Sequence, residues 1–304
     1  MIHTYTHKKF TWVDLENPTH DEVEELMRRY HIHPLVGQEL LSPTVRPKVD
    51  LYDNFIYLIL HFPSVTHSHN GETEQEIDFV IGKDFLITVH YDIVDALREF
   101  AKVFEVNSML DKSTMAEHGG YLFFYMMREM YKHLGDDLHS LSTRLKEIEE
   151  HIFRGEEGRM VTAISKTNKA LLDFRESIRF HREILESFEA AGKQFFEPRF
   201  HYYLRSLVGE YFKVYNQLEN QKETLNDLRE TNESLLTSKT NEIMKALTIM
   251  SFVMLPMALI GQIFGMSVSG IPLTGTPDAF WKVIALMLLT GTMVFIFFKY
   301  KKWF

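Results

Sequence analysis

The sequence contains no cysteine among its 304 residues. That absence excludes a disulfide framework, thiolate zinc sites and cysteine nucleophiles, and it is typical of a protein whose soluble part lies in a reducing compartment. Positive charge is also scarce, since 33 Lys and Arg stand against 42 Asp and Glu and give a formal net charge of -9. Because phosphate binding needs a basic surface, we expect no nucleic-acid partner.

Motifs of the common enzyme classes are missing as well. The sequence has no phosphate-binding glycine loop, no nucleophile elbow and no HExxH pair. We therefore predict that the protein is not an enzyme and uses no organic cofactor. Residues 1–10 lack the apolar core of a signal peptide, so we expect the N-terminal part to stay in the cytoplasm.

The first 115 residues alternate between strand and helix patterns. The predicted strands are 10–15, 51–62 and 77–89, the last divided by a turn at Gly82-Lys83-Asp84. One helix is predicted to open at Asn17-Pro18-Thr19, and another covers 93–104. These patterns predict a compact cytoplasmic domain of the α+β class, with a mixed or antiparallel sheet.

Residues 116–243 are helical by pattern almost throughout. We predict long antiparallel helices over 116–197, at 119–153 and 159–190, and a third helix over 198–264. The third helix has a near-heptad apolar seam formed by Leu204, Val208, Tyr211, Tyr215, Leu218, Leu225, Leu228, Leu235 and Leu236. Its opposite stripe is polar and contains Asn220, Asp227, Ser234 and Asn241. Because one such helix cannot bury its seam alone, we expect helix partners from other subunits.

Two segments near the C-terminus are long and apolar enough to span a bilayer. The first, 246–264, is nineteen residues without a formal charge and contains Pro256, which membrane helices tolerate. The second is 279–298, and a basic tail, 299–304, follows it. We predict a hairpin of two transmembrane helices joined by the loop 265–278.

Flanking charge predicts how this hairpin is oriented. The connecting loop has no Lys or Arg, whereas lysines precede the first span and follow the second, at Lys239, Lys245, Lys299, Lys301 and Lys302. The positive-inside rule then places both termini in the cytoplasm and the loop outside. Lys282 lies just inside the outer end of the second span and is a minor exception to this rule; its side chain can snorkel to the membrane surface.

A protein with two spans cannot enclose a pore with one chain, so an ion pathway would need an oligomer. The polar stripe of the third helix continues into the first span through Asn241, Met244, Thr248, Ser251, Leu255 and Ala258. Neutral oxygens and small apolar rings suit a cation that keeps its water shell, as Mg²⁺ does. The same Ser and Thr residues could equally be packing groups between membrane helices. Spacing leaves both interpretations open.

Several segments together resemble the CorA family of magnesium channels. They are 240–256 (TNEIMKALTIMSFVMLP), Phe264-Gly265-Met266, the second span, the tail KKWF, the opening FTWVDLENPTHDEVEEL and the middle segment RPKVDLYDNFIYLIL. The resemblance extends over the whole chain. It implies a funnel-shaped homopentamer whose third long helix lines a central pore.

The resemblance also implies roles for individual positions. Asn241 would form a polar ring at the cytoplasmic entrance, and Gly265 and Met266 would begin the outer mouth. Successive rings would be Met244, Leu247, Leu255 and Ala258, with Leu247 and Leu255 as a hydrophobic gate. Intracellular Mg²⁺ would close the channel by binding acidic residues between neighbouring cytoplasmic domains, which makes it regulator as well as cargo. Glu210 is the candidate on the stalk, with Asp84 or Asp92 as its partner.

The outer mouth departs from the family signature Gly-Met-Asn, because it reads Gly265-Met266-Ser267. Serine keeps a hydroxyl but lacks the carbonyl of a carboxamide. The loop that follows has one acid, Asp278, where the family usually has several. A zinc-transporting branch of the family also alters this signature.

Three functions therefore stay open. The first is a multi-pass channel of the cell membrane that carries Mg²⁺, with Co²⁺ or Ni²⁺ as further cargo. The second is a Zn²⁺ transporter of the same fold, which the altered motif and the 15 histidines permit. The third is a non-conducting regulatory homologue. A separate metal site at His67 and His69 is a weaker hypothesis than a solvated loop.

Overall fold

The N-terminal part of the chain forms a mixed six-stranded sheet. The computed structural model describes residues 1–44, 46–64, 74–109, 117–266 and 277–301. The strands are β1 (Ile2–His7), β2 (Phe10–Glu16), β3 (Lys48–Leu51), β4 (Phe55–Pro63), β5 (Glu74–Gly82) and β6 (Phe85–His90), in the spatial order β1-β2-β6-β5-β4-β3. Only the β2–β6 pair is parallel among these strands.

The sheet is covered on one face by two short helices, α1 (His20–Tyr30) and α2 (Pro34–Glu39). A capping box starts α1 at the predicted place, since the Thr19 hydroxyl accepts from the amide of Glu22 and the Glu22 carboxylate accepts from the amide of Thr19. β4 and β6 are buried over their whole length, as expected for central strands with both faces covered.

Long helices follow the sheet. They are α3 (Asp95–Met109), α4 (Gly119–Phe153), α5 (Glu157–Ile178), α6 (His181–Phe195), α7 (His201–Gly265) and α8 (Ala279–Tyr300), with a 3₁₀ turn at Pro198–Phe200 before α7. The predicted single helix over 159–190 is wrong, because the chain ends one helix at Ile178 and begins another at His181. No Gly or Pro lies at this break. His181 is instead held by partners distant in sequence, which a local pattern cannot predict.

His181 ties the break to the sheet. Its Nε2 lies 2.6 Å from the backbone oxygen of His61, which can only accept, so Nε2 donates. Its Nδ1 then accepts from the hydroxyl of Tyr131 on α4, at 2.9 Å. Burial lowers the pKa of His181 to about 4, although its bond to the His61 carbonyl acts in the opposite direction. The ring is therefore neutral at physiological pH.

The N-terminal half of α7 buries a strict heptad seam within the same chain. Its members alternate at spacings of three and four and are Leu204, Leu207, Tyr211, Val214, Leu218, Gln221, Leu225 and Leu228. Leu207 and Val214 take the buried positions that the sequence assigned to Val208 and Tyr215, which are half-buried. Gln221 donates to the backbone oxygen of Leu138 on α4. Up to Leu228, the expectation that this seam needs other subunits is thus corrected, because helices of the same chain cover it. The last two members of the predicted seam, Leu235 and Leu236, are only half-buried in the chain.

The chain divides into two compact units, Met1–Arg229 and Glu230–Phe304. The second unit contains the C-terminal part of α7 and the whole of α8. Both α7 and α8 are long and apolar enough to cross a membrane, by length and composition. Their large apolar side chains stay mostly exposed in the isolated chain, as Leu255 and Leu289 do at 66% each. Such surfaces suit a lipid environment or contact with further helices.

Candidate ion pathway and metal-binding residues

One face of the C-terminal part of α7 packs against α8. Ile249 and Phe298 are buried there, and the rings of Phe252 and Phe298 lie 5.8 Å apart. Gly291 on α8 admits Met257, because a Cβ at position 291 would lie 2.9 Å from the Met257 sulfur. Small residues allow membrane helices to approach closely in this way. This contact fixes which side of α7 is covered within the chain.

The residues predicted to line a pore lie on the other side of α7. At 3.6 residues per turn they fall roughly opposite the face that packs on α8. Within this set Thr248 is half-exposed and the rest are exposed: Asn241, Met244, Leu247, Ser251, Leu255 and Ala258. The structure thus groups them on one free face of a continuous helix.

Two hydroxyls on this face are already bonded to the helix backbone. Thr248 Oγ1 donates to the carbonyl of Met244 at 2.7 Å, and Ser251 Oγ donates to the carbonyl of Leu247 at 3.0 Å. Each hydroxyl proton is therefore satisfied, while the oxygen lone pairs remain as acceptors. An oxygen in this state can accept a hydrogen bond from a water molecule of a hydrated cation. Pro256 has no N–H and so leaves the carbonyl of Phe252 without its usual partner in the helix.

The same face continues beyond the predicted set to Gln262, which the sequence analysis missed. Gln262 is exposed and follows Ala258 by four residues, as Leu255 follows Ser251. The spacing was therefore visible in the sequence, but the predicted list ended at Ala258. Gly265 is the last residue of α7, and Met266, which follows it, is 59% exposed.

Several predicted residues cannot be placed. Ser267 and most of the connecting loop lie outside the described residues, as do His67 and His69. Asp278 is described; it is exposed, and its carbonyl accepts from the amide of Lys282 at 3.1 Å.

Glu210, the candidate regulatory residue, borders a cavity of about 680 Å³ between α3, α4 and α7. Basic and acidic side chains line this cavity in equal number: Arg128, Lys132 and Lys213 face Glu129, Asp136 and Glu210. Lys132 pairs with Glu129 at 2.6 Å. The cavity alone is thus not strongly acidic, and a divalent cation there would need further carboxylates.

The proposed partners of Glu210 lie elsewhere. Asp84 is exposed in the turn between β5 and β6, and Asp92 follows β6, where its carboxylate accepts from the amide of Ile93 at 2.7 Å. No hydrogen bond or ion pair joins Glu210 to either of them within the part of the chain that the structure describes. Over the same residues, no group of three or more His, Asp and Glu could hold a metal ion.

A model of the family described as CorA-like Mg²⁺ transporter protein matches residues 7–301. The chain belongs to this family. The cobalt/magnesium transport protein CorA of Thermotoga maritima is 24% identical over 299 residues, which cover 96% of this chain and 83% of that protein. The putative metal ion transporter YfjQ of Bacillus subtilis is 25% identical over 295 residues, which cover 96% of this chain and 89% of that protein.

A solved structure of the CorA magnesium transporter from Methanocaldococcus jannaschii has the same fold. Its TM-score is 0.83 at 21% identity, with 99% of this chain and 93% of that chain covered. The likeness confirms the predicted architecture of an α/β soluble domain, long helices and a C-terminal helix. The CorA-like family is one of membrane transporters and not of enzymes, in agreement with the prediction from the sequence.

Proposed function

We propose that this CorA-like protein is a channel of the cell membrane that conducts hydrated Mg²⁺, with Co²⁺ and Ni²⁺ as further cargo. It works as a homopentamer in which α7 of each subunit lines the axis. Residues 1–115 form the cytoplasmic α/β domain, 116–197 the cytoplasmic helices and 198–264 the stalk and first span. The segment 265–278 is the external loop, 279–298 is the second span, and the tail 299–304 returns to the cytoplasm.

The observation that carries this proposal is the free face of α7. Its hydroxyls, Thr248 and Ser251, offer lone pairs and no unsatisfied proton, and no formal charge lies in 246–264. Mg²⁺ gives up its water reluctantly, so a pathway of neutral acceptors and apolar rings suits the hydrated ion. In the proposed channel Leu247 and Leu255 close the pathway when water leaves the narrow apolar rings that these two residues form.

Gating in this proposal is by cytoplasmic Mg²⁺ held between subunits. Glu210 of one subunit faces a carboxylate of its neighbour, which supplies the negative charge that the cavity of a single chain lacks. Asp84 is the more suitable partner, because it is exposed, whereas one carboxylate oxygen of Asp92 is engaged by the amide of Ile93. At the other end, Gly265, Met266, Ser267 and Asp278 form the outer mouth.

The test is ion uptake into proteoliposomes with an imposed inside-negative potential. Liposomes are loaded with dyes sensitive to Mg²⁺ or Zn²⁺, and protein-free liposomes serve as the control. We expect Mg²⁺ uptake that internal Mg²⁺ suppresses. Uptake of Zn²⁺ without Mg²⁺ would assign the protein to zinc transport instead.

Absence of uptake for both ions, from a folded oligomer, would contradict the channel proposal. In that case, Mg²⁺ uptake by the Ser267→Asn variant tests whether the protein is a non-conducting homologue. If this variant creates Mg²⁺ uptake where the native protein has none, the native outer mouth is the element that fails to admit the ion.

A further inference from the structure

The first span has only three residues with polar side chains in 246–264: Thr248, Ser251 and Gln262. On a helix with 100° per residue they fall within an arc of about 60°. Residues placed without regard to one another would scatter around the helix. The arc therefore indicates that these three side chains share one environment.

That environment is not the contact with α8. Ile249, Met257 and Gly261 mark the covered face. Ile249 is buried, Met257 lies against Gly291 of α8, and a Cβ at position 261 would lie 3.6 Å from the terminal carbon of Met287 on α8. The arc of polar residues is centred roughly opposite this face. Gln262 is exposed, and none of the hydrogen bonds among the described residues engages its amide.

A carboxamide differs from the two hydroxyls below it on the helix. Thr248 and Ser251 satisfy their protons on backbone carbonyls one turn back. Gln262 has two N–H donors and a carbonyl oxygen, and in hydrocarbon they would be costly to leave without partners. A position facing water removes that cost. Polar groups inside a span therefore favour a cavity or pathway over lipid.

We propose that Gln262 is a cation-binding residue of the ion pathway, whose carboxamide oxygen accepts hydrogen bonds from the water shell of a hydrated divalent cation. This inference rests on the proposed channel, in which each subunit contributes one carboxamide to a ring. The ring lies about 4.5 Å inward of Gly265 and about 16 Å outward of Ser251, at 1.5 Å per residue along α7. It adds an amide-lined site to the outer end of the pathway, where position 267 offers only a hydroxyl.

The natural lack of cysteine makes a direct test possible in the full chain. Gln262→Cys is reconstituted into liposomes and treated from outside with a hydrophilic, membrane-impermeant thiol reagent, and labelling is followed by mass spectrometry. We expect rapid labelling at position 262. Ala258→Cys lies about one turn further inward on the same face and keeps Gln262. Mg²⁺ bound at the Gln262 ring should slow the labelling of Ala258→Cys about tenfold at a concentration about ten times its Kd, relative to Na⁺ at equal ionic strength. Ile263→Cys, which points about 100° away on the helix, is the matched control and should label slowly with or without Mg²⁺.

The labelling readout needs no ion flux, so it separates this inference from the proposed function. Absence of labelling at position 262, or labelling of Ala258→Cys that Mg²⁺ does not slow, would overturn the inference even if the native protein conducts Mg²⁺. Equal labelling at 262 and 263 would also overturn it, because the site would then have no preferred face.

A second measurement uses variants that keep the helix sequence otherwise intact. Gln262→Leu removes the amide at similar volume and should raise the external Mg²⁺ concentration for half-maximal uptake by about tenfold, the order expected for the net loss of one hydrogen bond to the water shell of the ion. Gln262→Asn keeps the amide on a shorter side chain, and its Mg²⁺ concentration for half-maximal uptake should lie between those of the native protein and of Gln262→Leu. Native values for Gln262→Leu would overturn the assignment.

Discussion

Replacing His181 with leucine tests the tie between the sheet and the long helices. His181 is completely buried and bonds to the His61 carbonyl on β4 and to the Tyr131 hydroxyl on α4. Leucine can fill much of the space but has neither nitrogen, so the Tyr131 hydroxyl is left buried without a partner. An unpaired buried hydroxyl costs about 1–3 kcal/mol and a lost hydrogen bond about 1 kcal/mol, so we expect the free energy of unfolding to fall by about 2–4 kcal/mol.

The assay is urea unfolding of residues 1–229, the compact N-terminal unit, followed by far-ultraviolet circular dichroism at pH 7. His139→Leu makes the same chemical change at an exposed position on α4 and should alter the free energy of unfolding by less than about 0.5 kcal/mol. A loss below about 1 kcal/mol for His181→Leu would refute the reasoning.

A double-mutant cycle tests whether Tyr131 carries part of the effect. Tyr131→Phe alone removes the hydroxyl and leaves Nδ1 of His181 unpaired, so it should be destabilising. In the His181→Leu background the same change removes a hydroxyl that has lost its partner, and it should then restore stability. Two effects that simply add would show that the groups do not interact.

The loss of stability caused by His181→Leu should be smaller at acidic pH than at neutral pH. The pKa of His181 is about 4 in the folded chain, below its unfolded value of about 6.5. As pH falls below about 6.5 the unfolded ring binds a proton that the folded ring does not, so native stability declines until about pH 4. His181→Leu lacks this decline, and its deficit should be about 2 kcal/mol smaller at pH 5 than at pH 7.

The remaining predictions concern the two candidate membrane helices and Glu210. Thr248→Val should lower Mg²⁺ uptake about fivefold, because it removes an acceptor oxygen but keeps the side-chain shape. Gly291→Leu should lower the thermal unfolding temperature of the detergent-solubilised protein, at a cost of about 1–3 kcal/mol, because its side chain would clash with Met257. Glu210→Gln should weaken the protection against trypsin that Mg²⁺ gives, as it removes the proposed ligand charge.

Matched controls exist for these variants. Thr290→Val removes a hydroxyl on α8 that is also bonded one turn back, to Leu286, and it should leave uptake unchanged. Glu223→Gln removes an exposed charge from α7 and should leave Mg²⁺ protection unchanged. Equal effects of variant and control in either pair would contradict the assigned role. For Gly291, Met257→Ala in the same chain should recover part of the lost stability.

Local signals in the sequence predicted the elements whose causes are local. Thr19 and Glu22 form the capping box that starts α1, and Gly82-Lys83-Asp84 separates β5 from β6. β1 was missed because it pairs only with β2 and is mostly exposed, so its sequence carries no apolar alternation.

Features fixed by distant contacts could not be predicted. The break before His181 depends on Tyr131 and on His61, which lie 50 and 120 residues away in the sequence. The buried seam of α7 includes Gln221 because its amide meets the Leu138 carbonyl, 83 residues away. From the sequence alone a glutamine is expected to lie at the surface. Only the carbonyl of Leu138, which its amide meets in the folded chain, explains why Gln221 is buried.

The sequence predicted which side of α7 the candidate pathway residues share, but not how far along the helix they continue. A spacing of three and four residues identifies one side of a helix, and that side is indeed opposite to α8. Spacing does not say where water ends and lipid begins, so the predicted set stopped at Ala258 although Gln262 continues it.

Neutral acceptors have a consequence for conduction in the proposed channel. A carboxylate ring within the span would hold a divalent cation strongly, since Coulomb attraction grows as the local dielectric constant falls. Hydroxyl and amide oxygens bind the water shell through weaker hydrogen bonds, so an ion can leave as readily as it enters. The first span follows this pattern, because 246–264 has no formal charge and three polar side chains on one arc. Discrimination among cations must then depend on the size and spacing of the rings, and Gln262→Glu should strengthen Mg²⁺ binding while slowing its release.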